Sequence, residues 1–159
     1  MLVTFQGSST SVSGVPVLQA QPGIHNFTGA NGHIYGYVIS GKDGSTVTEN
    51  NPAVLGFDYY VIVTGLGQTT PPAVTDVEGV SGQNVIVPVL VGVNNQGMPV
   101  ISAEYLPGWN GFYIIHFTLP QGTTLVPGLD QPFVVAAQVN GQNVFSNPLF
   151  TVYLPVTTE

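Results

Sequence analysis

The chain has 159 residues, 43% of them hydrophobic and 6% charged, and its single basic residue against eight acids gives a formal charge of −7. With one lysine, Lys42, to set against phosphates, nucleic acid is excluded as a partner, and anionic membrane surfaces fall on the same ground. Disorder is excluded as well, because 25 valines supply a core, and no apolar run approaches the roughly 18 residues of a membrane-spanning helix.

Length sets a single module, residues 1–159, or two small packed lobes with a boundary near residues 70–84, in TTPPAVTDVEGVSGQN. The polar residues are mostly Ser, Thr, Asn and Gln, and cysteine is absent, which suits an extracellular or cell-surface protein without disulfides. MLVTFQGSST has neither a basic n-region nor an apolar h-region and does not read as a signal peptide. An exported protein would therefore begin here as a mature form or a fragment.

Twenty glycines and 13 prolines interrupt the chain every few residues, and no window sustains a helical period. Strands are expected at Leu2–Phe5, Val15–Gln19, Ile34–Ser40 and Tyr59–Thr64, with the turn SGKDGS between the last two. After Thr64 comes Gly-Leu-Gly, the opening of a dinucleotide loop, but that loop needs a helix behind it. Pro71 and Pro72 forbid one, so Gly65 and Gly67 are read as turn residues. Further strands follow at Asn84–Val91, Val100–Tyr105, Phe112–Leu119, Phe133–Val139, Asn143–Phe145 and Leu149–Leu154. Pro88 lies inside the first of these and marks an edge strand or a bulge. Asn140-Gly141 between apolar runs signals a tight hairpin, because a type I′ turn needs positive φ at both central residues. About ten short strands with regular turns indicate an all-β fold, an immunoglobulin-like β-sandwich.

The segments YYVIVTGLGQTTPP, EYLPGWNGFYIIHFTLPQGT and PFVVAAQVNGQNVFSNPLFTVYL, preceded by VLQAQPGIHNF, resemble in order and spacing a known family. It is the uncharacterised carboxy-terminal domain family of secreted acidobacterial (Solibacter-type) proteins. The likeness runs from about Val15 to Leu154. It implies an extracellular, immunoglobulin-like all-β module with no known catalytic residues, whose usual first lobe, upstream of Val15, is missing or truncated.

No pattern in the residues carries catalysis. There is no Gly-x-Ser-x-Gly elbow and no cysteine nucleophile, and the eight acids show no spacing that would pair two of them for glycoside hydrolysis. His25 and His33 are too widely spaced for a zinc pair. His116 shares a strand face with Phe112 and Ile114 and is expected to donate to a neighbouring strand or to solvent. Asp76 and Glu78, with Asp58 upstream, make calcium conceivable but lack EF-hand spacing. The expectation is a non-enzyme with no cofactor and no metal.

The ligand candidate is the aromatic group Tyr105, Trp109 and Tyr113, with Phe112 beside them, since apolar sugar faces stack on exposed aromatic planes. The Pro-Gly and Asn-Gly brackets of LPGWNG favour an inward-folded loop, so Trp109 is expected to be largely buried as a cap on the core and not to bind sugar. Asn26-Phe27-Thr28 is a glycosylation acceptor pattern.

Monomeric β-proteins guard their edges with lysine, inward charges and proline. Here the guards are expected to be Pro88, Pro132 and Pro148. Edges so thinly protected suit occupation by copies of the same chain. The functional expectation is a structural or adhesive subunit that self-associates into a surface filament or layer, its partner being itself or neighbouring surface proteins. The alternatives are a carboxy-terminal sorting or anchoring domain, or a carbohydrate-binding module.

Overall fold

The computed structural model describes every residue except Met1, Gln6, Val12, residues 14–17 and Glu159. In chain order the strands are β1 (Leu2–Phe5), β2 (Ser8–Ser11), β3 (Gly23–Ile24), β4 (Asn26–Thr28), β5 (Ile34–Gly36), β6 (Val38–Ser40), β7 (Ala53–Val54), β8 (Phe57–Thr64) and β9 (Thr69–Thr70). They continue with β10 (Asn84–Val85), β11 (Val89–Val93), β12 (Gln96–Met98), β13 (Val100–Tyr105), β14 (Phe112–Leu119), β15 (Gly128–Val139), β16 (Gln142–Phe145) and β17 (Val152–Thr157). Among the described residues there is no helix, and so none long and apolar enough to cross a membrane.

Two sheets pack face to face as a β-sandwich. The front sheet runs β3-β8-β14-β13-β10-β9, with β6 also on β8. The back sheet runs β12-β11-β15-β17-β5-β4, with β16 on β15 and β7 on β17. Pairing is antiparallel except where the last strand, β17, runs parallel to β5 and β7. Strict alternation along β14 sends Tyr113, Ile115, Phe117 and Leu119 inward, where they meet Phe133, Val135, Val152 and Leu154 of the back sheet in one cluster. Phe117 bridges the sheets, its ring 5.9 Å from that of Phe133 and 6.1 Å from that of Tyr59.

Several expected strands are two strands. Ile34–Ser40 breaks at Tyr37 into β5 of the back sheet and β6 of the front, and Asn84–Val91 breaks before Val89 into β10 of the front sheet and β11 of the back. Pro88 therefore marks a crossing between sheets and not an edge or bulge. It has no N–H for a ladder, and its carbonyl accepts from the Gln138 N–H at 2.8 Å on the back sheet. The final strand begins at Val152 and not at Leu149, because Asn147 takes φ +47° and Phe150 closes a turn on its carbonyl. The Val15–Gln19 strand falls mostly outside the described residues, and Leu18 and Gln19 are not extended into one. Residues 70–84 leave the front sheet at β9 and return to it at β10, which pairs with β9 itself.

Turn chemistry follows the sequence. Asn140 and Gly141 both take positive φ between β15 and β16. Gly65 and Gly67 close β8 with φ of +71° and +84°, and a Cβ on either would strike the carbonyl of Gln21 or Gln19. The Gly-Leu-Gly stretch thus lets a neighbouring chain segment approach and leads into β9, with no helix behind it.

The three prolines expected to guard edges do not do so. Pro132 lies within β15 opposite Tyr153, Pro148 in the turn before β17, and Pro88 at the crossing. Protection comes instead from brevity: the outermost strands β3, β4, β6, β7, β9 and β12 are two or three residues long and β16 four. Short edges offer little ladder to an incoming strand. The hairpin β1–β2 is different. It forms a two-stranded sheet of its own, and among the described residues neither strand pairs with the front or the back sheet.

Candidate functional site

The outward face of the front sheet carries aromatic and aliphatic side chains where a solvated sheet face ordinarily alternates to polar ones. Phe112 and Ile114 of β14, Ile62 of β8 and Ile39 of β6 form the floor of a groove of about 480 Å³. Leu106 and Trp109, from the β13–β14 loop, form one wall, and His25 and Tyr37 the other.

His25 and Tyr37 stand there because the chain turns corners at both. His25 separates β3 of the front sheet from β4 of the back, and Tyr37 separates β5 of the back sheet from β6 of the front. The two corners are clamped side by side on β8. The Tyr37 N–H donates to the His25 carbonyl at 2.7 Å, the His25 N–H to the Ile62 carbonyl at 3.0 Å, and the Ile62 N–H to the Tyr37 carbonyl at 3.2 Å. A row of rings results. Trp109 meets Phe112 edge to face at 5.7 Å, Phe112 meets His25 at 5.9 Å, and His25 lies 5.6 Å from Tyr37.

The three residues singled out from sequence are divided between two environments. Tyr105 and Tyr113 are buried on the inner face, 5.0 Å apart in an edge-to-face pair. The Tyr105 hydroxyl accepts from the Gly111 N–H, and the Tyr113 hydroxyl donates to the Gly67 carbonyl. Neither reaches a ligand on the surface. Trp109 is not buried: it is 57% exposed. The Pro-Gly and Asn-Gly brackets do turn the loop, with positive φ at Gly108 and Gly111, but Pro107 to Gly111 all stay exposed. Gly79 donates to the Trp109 carbonyl at 3.1 Å, and Tyr105 holds Gly111 from below. The tyrosines therefore position the loop that presents Trp109.

Burial raises the Tyr113 phenol above its usual value of 10.0, with Tyr105 adding to the effect, and burial likewise raises Tyr59. A raised phenol favours the neutral folded form, so its contribution to stability is complete below pH 10 and lost as pH climbs through the folded-state values. Thermal melts from pH 9 to 12 should show a constant midpoint up to about pH 10 and a fall above it. Replacing both tyrosines with phenylalanine should flatten that fall.

The other candidates lie apart from the groove. His116 stacks on Tyr60 at 4.5 Å and faces Asp58 of the neighbouring strand at 3.5 Å, as its position on β14 suggested, and Asp58 also accepts from Thr118 at 2.6 Å. His33 pairs with Asp130 and stacks on Tyr153 at 5.2 Å. Asp76 and Glu78 are exposed on the loop between β9 and β10. Among the described residues no three histidines or acids gather as a metal site requires. The Asn26 amide donates to the Ile24 carbonyl at 2.9 Å. A cleft of about 440 Å³ beside Gly67, Thr70 and Ile86 has neither an aromatic ring nor a titratable group in its lining.

Sequence reasoning named Phe112 among the ligand-candidate aromatics but missed His25 and Tyr37 as its neighbours in the groove. One signal was present: FYIIHF is apolar at both parities, so this strand has two apolar faces to cover. No family model, curated protein or solved structure matches the chain.

Proposed function

We propose that the chain is a non-enzymatic extracellular module, structural or adhesive, that associates with copies of itself in a surface filament or layer. The observation that carries this reading is the hairpin β1–β2, a two-stranded ribbon that among the described residues pairs with neither sheet. An isolated two-stranded ribbon is at best marginally stable in water. Adding it to a sheet of a neighbouring copy would extend that sheet with a further strand pair, and repetition head to tail gives an open assembly. Of the sandwich's outer strands, β16 (Gln142–Phe145) matches the four-residue strands of the hairpin in length and is the edge that a neighbouring copy's hairpin would join. A nearly lysine-free surface and the resemblance to secreted carboxy-terminal domains support the extracellular setting.

The test is light scattering and electron microscopy of the full chain beside a Val3→Pro, Thr4→Pro double variant. Consecutive N–H groups point to opposite edges of a strand, so this pair removes one donor from each edge of β1. The wild-type chain should form multimers and the variant should run as a monomer with an unchanged melting temperature. A wild-type monomer under every condition overturns the reading in favour of a terminal domain of a larger secreted protein.

A further inference from the structure

We propose that the outer-face groove binds a neutral oligosaccharide, with sugar rings stacked on Trp109 and Phe112 and their hydroxyls hydrogen-bonded to His25 and Tyr37. This site is independent of the hairpin and of self-association. Four features of the groove select this class of ligand.

The first is shape. A volume of about 480 Å³ lies in the range of small-ligand clefts, roughly 300–1,000 Å³, whereas protein partners bury broad, flatter surfaces. The second is the rings. Pyranoses with equatorial substituents, as in β-linked glucans, present flat faces of axial C–H bonds, and these faces suit an aromatic plane. Trp109 is more than half exposed and meets Phe112 edge to face.

The third feature is unused polarity. Among the described residues the His25 imidazole and the Tyr37 hydroxyl make ring contacts but no side-chain hydrogen bonds to protein groups. A purely apolar occupant would desolvate these groups without a partner, at a cost of about 1–3 kcal/mol each. A sugar hydroxyl, which both donates and accepts, satisfies either one. The fourth is charge. No Asp, Glu, Lys or Arg lines the groove, while Glu104 stands opposite Ile114 in the ladder and the chain carries −7 overall. Uronic or sulfated glycans would meet repulsion and no cation, so the ligand is uncharged.

The corner geometry adds preorganisation. Both polar groups rise from backbone clamped on Ile62, so binding orders little that was mobile, and rigid aromatic platforms lose little entropy on contact.

The experiment is a calorimetric titration of the full chain with cellohexaose, laminarihexaose, xylohexaose and chitohexaose, and with oligogalacturonate as the anionic control. Emission of Trp109, the chain's one tryptophan, is followed in parallel. The expected result is saturable binding of at least one neutral oligosaccharide with a shift in emission, and no binding of oligogalacturonate. Trp109→Ala and Phe112→Ala should each weaken the affinity at least tenfold. Tyr37→Phe, which keeps the ring and removes only the hydroxyl, should weaken it several-fold. All three variants should keep the wild-type melting temperature to within a few degrees. Absence of binding to every neutral probe, binding that survives Trp109→Ala, or preference for oligogalacturonate would each overturn the proposal. Loss of multimers in Trp109→Ala without sugar binding in the wild type would assign the groove to contacts between copies and overturn it equally. Failure of self-association in the hairpin variant leaves the sugar titration unaffected, so the two proposals fail separately.

Discussion

Phe117→Ala is expected to cost about 3–5 kcal/mol of stability, the range for removing a large aromatic ring from a packed core. Trp109→Ala is expected to cost no more than about 1 kcal/mol. The two residues are eight positions apart, Phe117 on β14 and Trp109 in the loop before it, yet Phe117 is fully buried between the sheets and Trp109 is 57% exposed at the groove. Removing Phe117 leaves a cavity facing Tyr59 and Phe133, which alternation holds in place and which cannot close over it. Removing Trp109 exposes one edge of Phe112 to solvent that already reaches it. For a chain of this size the Phe117 change should lower the melting temperature by on the order of 10 °C. Urea melts of the two variants beside the wild type provide the measurement. A Trp109→Ala penalty equal to that of Phe117→Ala would show that the indole belongs to the core, and the outer-face groove would lose its principal wall.

Self-association is expected to hold or strengthen as salt rises from 0.1 M to 1 M. One lysine cannot furnish ion pairs across an interface between copies, and Lys42 already lies over the Phe57 ring at 4.9 Å. Contacts must come from backbone pairing and apolar burial, which salt does not screen. What salt does screen is the repulsion between subunits of charge −7, since the Debye length shortens from about 10 Å to about 3 Å over that range. Acidification towards the sequence pI near 4.4 should act in the same direction as carboxylates neutralise. Asp43 is the acid expected to resist longest, because the Ser45 hydroxyl and N–H stabilise its ionised form. An assembly bridged by calcium between carboxylates would instead dissociate in acid or in chelator. Light scattering across a salt and pH series, with and without chelator, separates the two, and dissociation to monomers at 1 M salt would defeat the backbone-pairing mechanism.

The strands legible from sequence are those whose pattern is local. Val100–Tyr105 and Phe112–Leu119 match their expected limits residue for residue, because apolar runs bounded by turn residues are set by near neighbours. The Asn140-Gly141 turn was equally plain, as its backbone demands are met by those two residue types alone. The strands missed, β2, β3, β4, β7, β9 and β12, are four residues or shorter. Two of them, β3 and β7, pair with strands far along the chain, and the others, though most join a neighbouring strand, are too short to carry a period that can be read.

The same division governs the site. Composition and turn spacing determined an all-β sandwich, because backbone propensity needs no third dimension. Tertiary structure alone decided which face of FYIIHF meets water, where the chain changes sheets, and that His25, Tyr37, Phe112 and Trp109 converge in one groove. Alternation along a strand separates two faces but assigns neither to the core, and only the position of the opposing sheet does so. At His25 and Tyr37 the alternation itself is reset, since a corner rotates the backbone between sheets. The direction of a corner side chain then depends on the β8 hydrogen bonds that hold it, and those partners lie between 25 and 37 residues away in the sequence.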